Sequence, residues 1–278
     1  MSSKSFMVGA VLSLSLALVG QPASAAIVAG FNSQTLVRND DGSTGSVALP
    51  FMVNFFGRTY SNIFVNNNGN LTFSGSRSDF TPVGLGTGYS GTAIIAPFFA
   101  DVDTRGAGSG VTAYGTGTYE GRQAFGATWD KVGYYSGATD KLNSFQAILV
   151  NRSDVATGDF DIFFRYGSIQ WETGGGSGGS GGSGGRGGHS ASMGFNAGTG
   201  NAPGTYYAAP GSLQNGALID GGANALKDRE FKFEVRGGVA EPVTIVPEPA
   251  GWGMLILGFG AVAMVARRRP SPHTMISA

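Results

Sequence analysis

Hydrophobic and polar residues alternate with a period of two through much of the middle of the chain, the pattern of a strand with one buried face. Phe51, Val53 and Phe55 fall on one side, as do Phe125, Ala127 and Trp129. Ile162, Phe164 and Tyr166 form a third stripe, opposite Asp161, Phe163 and Arg165. Phe231, Phe233 and Val235 alternate with Lys232, Glu234 and Arg236, a half-exposed strand. Residues 142–150 are more continuously apolar, which predicts a central strand. No segment of residues 26–246 keeps a helical period beyond about two turns. Short strands between glycine- and asparagine-rich turns predict an all-β fold, a single antiparallel β-sandwich-like domain. One hairpin is placed by its turn: Ile63-Phe64-Val65 enters Asn66-Asn67-Asn68-Gly69-Asn70, and Leu71-Thr72-Phe73 leaves it. Asn-Gly suits a turn with φ > 0 at both central residues, so these asparagines are read as turn formers rather than ligand groups.

The two ends read as addresses. Lys4 precedes an apolar run over residues 6–19, Gln21-Pro22 breaks it, and Ala23-Ser24-Ala25 follows. This is the pattern of a secretory signal peptide over residues 1–25, cut by signal peptidase between Ala25 and Ala26. At the other end Pro247-Glu248-Pro249 precedes the uncharged residues 250–266 and then Arg267-Arg268-Arg269. As a helix, residues 250–266 reach about 25 Å, the lower limit for spanning a bilayer. The arginines favour the cytoplasmic side. The tail resembles the PEP-CTERM sorting signal of Gram-negative bacteria in its tripeptide, its Trp252-containing glycine-rich apolar helix and its arginine cluster. That resemblance implies removal of the tail by an exosortase after a transient stay in the inner membrane. The mature protein then goes to the cell surface, outer membrane or extracellular matrix. An ordinary C-terminal anchor is the alternative.

Composition narrows the function classes. Of 278 residues 13% are charged and 48 are glycine, about half the usual charge and more than twice the usual glycine. Formal net charge is zero, and residues 26–246 carry 14 basic against 17 acidic side chains. That balance excludes a dedicated nucleic-acid binder. The lack of cysteine removes disulfides, thiolate nucleophiles and cysteine-based zinc sites. The Gly/Ser run over residues 174–188, interrupted by Arg186, has nothing to pack and predicts a mobile surface loop within the domain. Residues 84–91 are read in the same way.

Catalytic chemistry is sparse. His189 ends the glycine run and His273 lies beyond the arginines. The G-x-S-x-G match around Ser177 arises from low complexity and has no strand before it or helix after it. Carboxylates remain. Asp101 and Asp103 share a face if extended, and Asp159 and Asp161 repeat the spacing. Three readings stay open: turn bonding with a local Asp103–Arg105 ion pair, oxygen ligands for Ca²⁺, or acid and nucleophile on a sugar. No other cofactor is indicated. Trp129 is assigned to the core, whereas Trp171, Tyr134 and Tyr135 are open between core packing and sugar stacking.

A chain of motifs carries a second resemblance. Leu49-Pro50-Phe51, Asn54-Phe55-Phe56-Gly57 and the 65–73 hairpin come first. Ile95-Ala96-Pro97-Phe98-Phe99-Ala100-Asp101-Val102-Asp103-Thr104-Arg105 and Thr128-Trp129-Asp130-Lys131 follow. Gly158-Asp159-Phe160-Asp161-Ile162, Ile169-Gln170-Trp171-Glu172-Thr173-Gly174 and the 231–235 strand close the series. In this order they resemble a nidogen-like (NIDO) domain over about residues 39–236. The implied plan is a signal peptide (1–25), a lead-in (26–45), a nidogen-like domain (46–238) enclosing the Gly/Ser loop, and a linker with sorting signal (239–278). The resemblance implies an extracellular, matrix or cell-surface protein linked to adhesion, with no catalytic residues to carry over. The expected function is non-catalytic binding of extracellular polysaccharide or cell-surface matrix. A glycan hydrolase using Asp carboxylates and a calcium-stabilised binding module are the alternatives.

Overall fold

The period-two segments become strands in a computed structural model, which describes residues 27–243 except 87, 180–183 and 201. The signal peptide with its Ala25–Ala26 cleavage point lies outside the described residues. So does the sorting signal with Pro247, Glu248, Pro249, Arg267, Arg268 and Arg269. In chain order the strands are β1 (Gln34–Thr35), β2 (Val47–Phe55), β3 (Arg58–Asn66), β4 (Asn70–Thr72), β5 (Ile94–Phe99), β6 (Thr112–Tyr119) and β7 (Arg122–Tyr134). They continue as β8 (Ala138–Asn151), β9 (Phe160–Tyr166), β10 (Ser192–Asn196), β11 (Tyr206–Ala208), β12 (Glu230–Arg236) and β13 (Val239–Pro242). No helix occurs among the described residues, and none there is long and apolar enough to cross a membrane.

Two antiparallel sheets result. The larger has the order β1-β6-β7-β8-β9-β12-β13 and the smaller the order β11-β10-β5-β4-β3-β2. The apolar segment 142–150 falls in β8, the middle strand of the larger sheet. Register brings Trp129 opposite Phe145 and Leu149 opposite Ile162, so the inward stripes line up across three strands. The Trp129 and Phe145 rings stack at 5.1 Å. Aromatic pairs then join the sheets: Phe98 with Phe145 at 5.3 Å, Phe55 with Phe160 at 6.2 Å, and Phe195 with Phe233 at 5.1 Å. One apolar cluster spans both inner faces, which makes the body a sandwich.

Each outer face is covered in part as well, which is why β5 is buried along its whole length. On the larger sheet, Phe31 packs with Ala124, Ile148, Val150 and Phe163. Gly126 leaves room for it, since a Cβ there would collide with the Phe31 ring. The stretch read as a lead-in thus supplies β1, which pairs with β6, and a cover for the sheet. On the smaller sheet, Leu85 and Tyr89 insert against Ile94, Ala96 and Phe99. The glycine-rich 84–91 segment therefore wraps the surface while burying two of its side chains.

Two local expectations change. The β3–β4 hairpin is closed by Asn67, Asn68 and Gly69 between paired Asn66 and Asn70. Only Gly69 in that loop is left-handed (φ 73°), not both residues of the Asn-Gly pair. The loop is interior rather than exposed: Asn66, Asn67, Asn68 and Asn70 are at most 1% exposed. The described parts of the Gly/Ser run are likewise tied down. Gly174 and Ser177 are buried, and the Gly185 carbonyl accepts from the Glu172 and Thr173 N–H groups at 2.8 and 3.0 Å.

Candidate functional site

The buried asparagines hold together three segments that are far apart in sequence. Asn67 Nδ2 donates to the Asp40 carbonyl and, at 2.6 Å, to the Val102 carbonyl. Asn67 N–H donates to Gly42 O at 2.9 Å. Asn68 Nδ2 donates to Asp41 Oδ1 at 2.8 Å, while Asn68 Oδ1 accepts from Val102 N–H at 2.9 Å. The 39–42 turn adds its own closure, Gly42 N–H to Asn39 Oδ1 at 2.6 Å. Thr104 Oγ1 donates to Asn39 O and accepts from Asn39 N–H, both at 2.9 Å. An amide side chain has two donors and an acceptor, so one residue can satisfy several loop carbonyls that water cannot reach.

This frame gathers carboxylates. Asp40, Asp41 and Asp101 each bring an oxygen into a group lying within 4.8 Å of one another. Asp101 is 1% exposed, and its Oδ2 accepts from Ser177 N–H at 3.1 Å. Asp40 Oδ2 meets Arg105 at 2.9 Å, whereas Asp40 Oδ1 is buried with no hydrogen bond. Burial, then the charges of Asp40 and Asp41, push the Asp101 carboxyl up to about 7. Burial, then Asp103 and Asp41, raise Asp40 to about 6 against the pull of Arg105. The three line a cleft of about 180 Å³ with Phe80, Tyr135 and Gly176. Tyr135 also borders a larger cleft of about 460 Å³, shared with Tyr134, Ser136, Asp140 and Thr173. Tyr135 is 37% exposed and the Arg105 guanidinium lies 5.9 Å from its ring centre, whereas Trp129 and Trp171 are buried.

The other carboxylates singled out from sequence have separate surroundings. Asp103 receives Arg105 Nε at 2.9 Å, Arg105 Nη2 at 2.7 Å and Gly137 N–H at 2.8 Å. Burial pushes its carboxyl up, but these donors outweigh that and hold it below the usual range. Asp159 Oδ1 accepts from Gly237 N–H at 2.8 Å. Asp161, 1% exposed on β9, is ringed by Arg152 at 2.9 Å, Arg236 at 2.6 Å and Lys232 at 3.3 Å. Among the four, only Asp101 joins the acidic group, and its companions are Asp40 and Asp41. Sequence reasoning missed those two because they stand outside any strand; the Asp-Asp-Gly turn signal was the available clue. The Ser177 hydroxyl closes its own turn, donating to Gly174 O at 3.1 Å.

Comparison with known proteins gives a consistent picture. The nidogen-like domain matches residues 61–120 and 110–228. Alpha-tectorin of Mus musculus is 34% identical over 193 residues, covering 62% of this chain and 8% of that protein. Alpha-tectorin of Gallus gallus is 30% identical over 227 residues, covering 74% and 10%. Nidogen of Drosophila melanogaster is 27% identical over 161 residues, covering 50% and 12%. The chain thus spans about a tenth of the length of these relatives. No solved structure matches it.

Proposed function

The chain belongs to the nidogen-like domain family, and from that premise we propose that it is an extracellular adhesion module acting by binding without turnover. The family match over most of the sandwich carries this reading. Similarity to alpha-tectorin and nidogen agrees with the extracellular setting that the nidogen-like resemblance implies. The ligand in this reading is extracellular polysaccharide or cell-surface matrix. The exposed Tyr135 ring beside the larger cleft supplies a flat apolar face of the kind sugars stack on. Signal peptidase and an exosortase process the two ends in the same proposal, which directs a bacterial protein to the surface. Retention of the full chain by purified exopolysaccharide or intact cells tests it, with Tyr135→Ala expected to weaken retention. No retention on either would refute adhesion.

A second reading has one observation in its favour. Carboxylates within 4.8 Å lie near the separation of about 5–5.5 Å used by retaining glycosidases. Release of reducing ends from the native polymer, abolished by Asp101→Asn, would establish a hydrolase instead.

A further inference from the structure

The acidic group is short of positive charge and of hydrogen bonds. The charges of Asp40, Asp41, Asp101 and Asp103 act on one another here, and the guanidinium among them, that of Arg105, pairs with Asp40 and Asp103. Asp101 has no cation paired to it among the described residues. It is 1% exposed, and its hydrogen-bond partner Ser177, whose N–H donates to Oδ2 at 3.1 Å, brings no charge. Asp40 Oδ1 is a buried oxygen with no hydrogen-bond partner. Buried polar atoms are nearly always satisfied, and buried like charges repel unless something neutralises them. A buried carboxylate with no cation and a neighbouring carboxylate oxygen with no partner, on residues that line one small cleft, call for a cation rather than for further protein donors.

We propose that Asp40, Asp41 and Asp101 form a Ca²⁺ site. The donor set is all oxygen, which suits a hard cation. Three carboxylates offer at most six oxygens. Arg105, Asn68 and Ser177 already engage one each on Asp40, Asp41 and Asp101, so waters complete the six to eight ligands calcium takes. A cleft of about 180 Å³ holds one ion and a few waters at about 30 Å³ each. The ion would join the 39–42 turn to the segment after β5. Through Ser177 on Asp101, it would also seat the start of the Gly/Ser run. This site is independent of which polymer the domain adheres to.

The test uses the full chain with Ca²⁺ alone, and Tb³⁺ as its luminescent substitute. Tb³⁺ excited through tyrosine reports proximity to Tyr135, which lines the cleft. The proposal expects a tyrosine-sensitised Tb³⁺ signal that Ca²⁺ displaces, and a melting temperature higher in Ca²⁺ than in EDTA. Asp101→Asn and Asp40→Asn should each weaken binding by at least about tenfold, since even outer-shell partners contribute that much. Tyr135→Phe should keep the Ca²⁺ shift while losing much of the sensitisation. Asp101→Asn keeps the shape and removes the repulsion, so it should melt above wild type in EDTA and below it in Ca²⁺. If circular dichroism shows that variant unfolded, the more exposed Asp41→Asn gives the same reading. Equal melting in Ca²⁺ and EDTA, or variants that bind as wild type does, would overturn the site. Loss of polymer binding alone leaves it standing.

Discussion

Asn67 shows how one amide organises a site made of acids. Its side chain bonds the carbonyls of Asp40 and Val102, and its own carbonyl accepts from Trp129 Nε1 at 2.9 Å. Asn67→Ala leaves buried carbonyls unpaired and should cost about 3 kcal/mol, read from urea unfolding. The acids around it give a pH dependence of definite sign. Asp40 and Asp101 are raised to about 6 and about 7 from 3.8, so the folded state holds their protons more tightly than the unfolded state. Their contribution to stability is complete below 3.8 and is lost as pH rises through about 6 and then about 7. In EDTA the melting temperature should therefore fall across that window in wild type, and fall less in Asp101→Asn. At this scale the sequence was only half legible. Asp101 and the Asp103–Arg105 pair could be picked out from local spacing. Asp40 and Asp41 could not be joined to Asp101, because asparagine contacts across long loops make that connection and no periodicity encodes them.

Strands were the most legible elements, because alternation records directly which face is dry. The 231–236 pattern became β12 with Phe233 and Val235 buried, and the apolar 142–150 segment became part of a central strand. Glycines were harder to read, since the same residue serves turns, close contacts and loose chain. Gly126 is a contact glycine on β7, where a Cβ would meet Phe31. Gly126→Ala should destabilise by about 1–3 kcal/mol through overpacking. Phe31→Ala should relieve part of that loss in the double mutant, a coupling that thermal melts can measure. Gly69 combines φ 73° with a backbone approach to Phe98, so Gly69→Ala should cost more than about 1 kcal/mol and loosen the hairpin. The Gly/Ser run has few side chains to bury, so its packing left no mark in the hydrophobic pattern. Its backbone supplies the contacts: the Ser177 amide to Asp101, and the Gly185 carbonyl to Glu172 and Thr173.

Across the whole molecule, cysteine-free stability rests on an aromatic interior shared by two sheets. Trp129→Ala, which removes a ring stacked on Phe145 and a hydrogen bond to Asn67, should cost about 3–5 kcal/mol. If the tail is processed as proposed, mass spectrometry of the mature protein should find a C-terminus near Pro249 and no arginine cluster. The way the N-terminal end of the described body is seated bears on folding order. Gln146 in β8 exchanges two hydrogen bonds with the backbone of Val28, 118 positions earlier. Val28 and Phe31 cover a sheet whose strands are made later. A ribosome or a transport pore hands over Val28 and Phe31 well before their berth over residues 124–163. Assembly dominated by such distant pairings is slow, so the N-terminal cover should take its seat only after β7, β8 and β9 have come together.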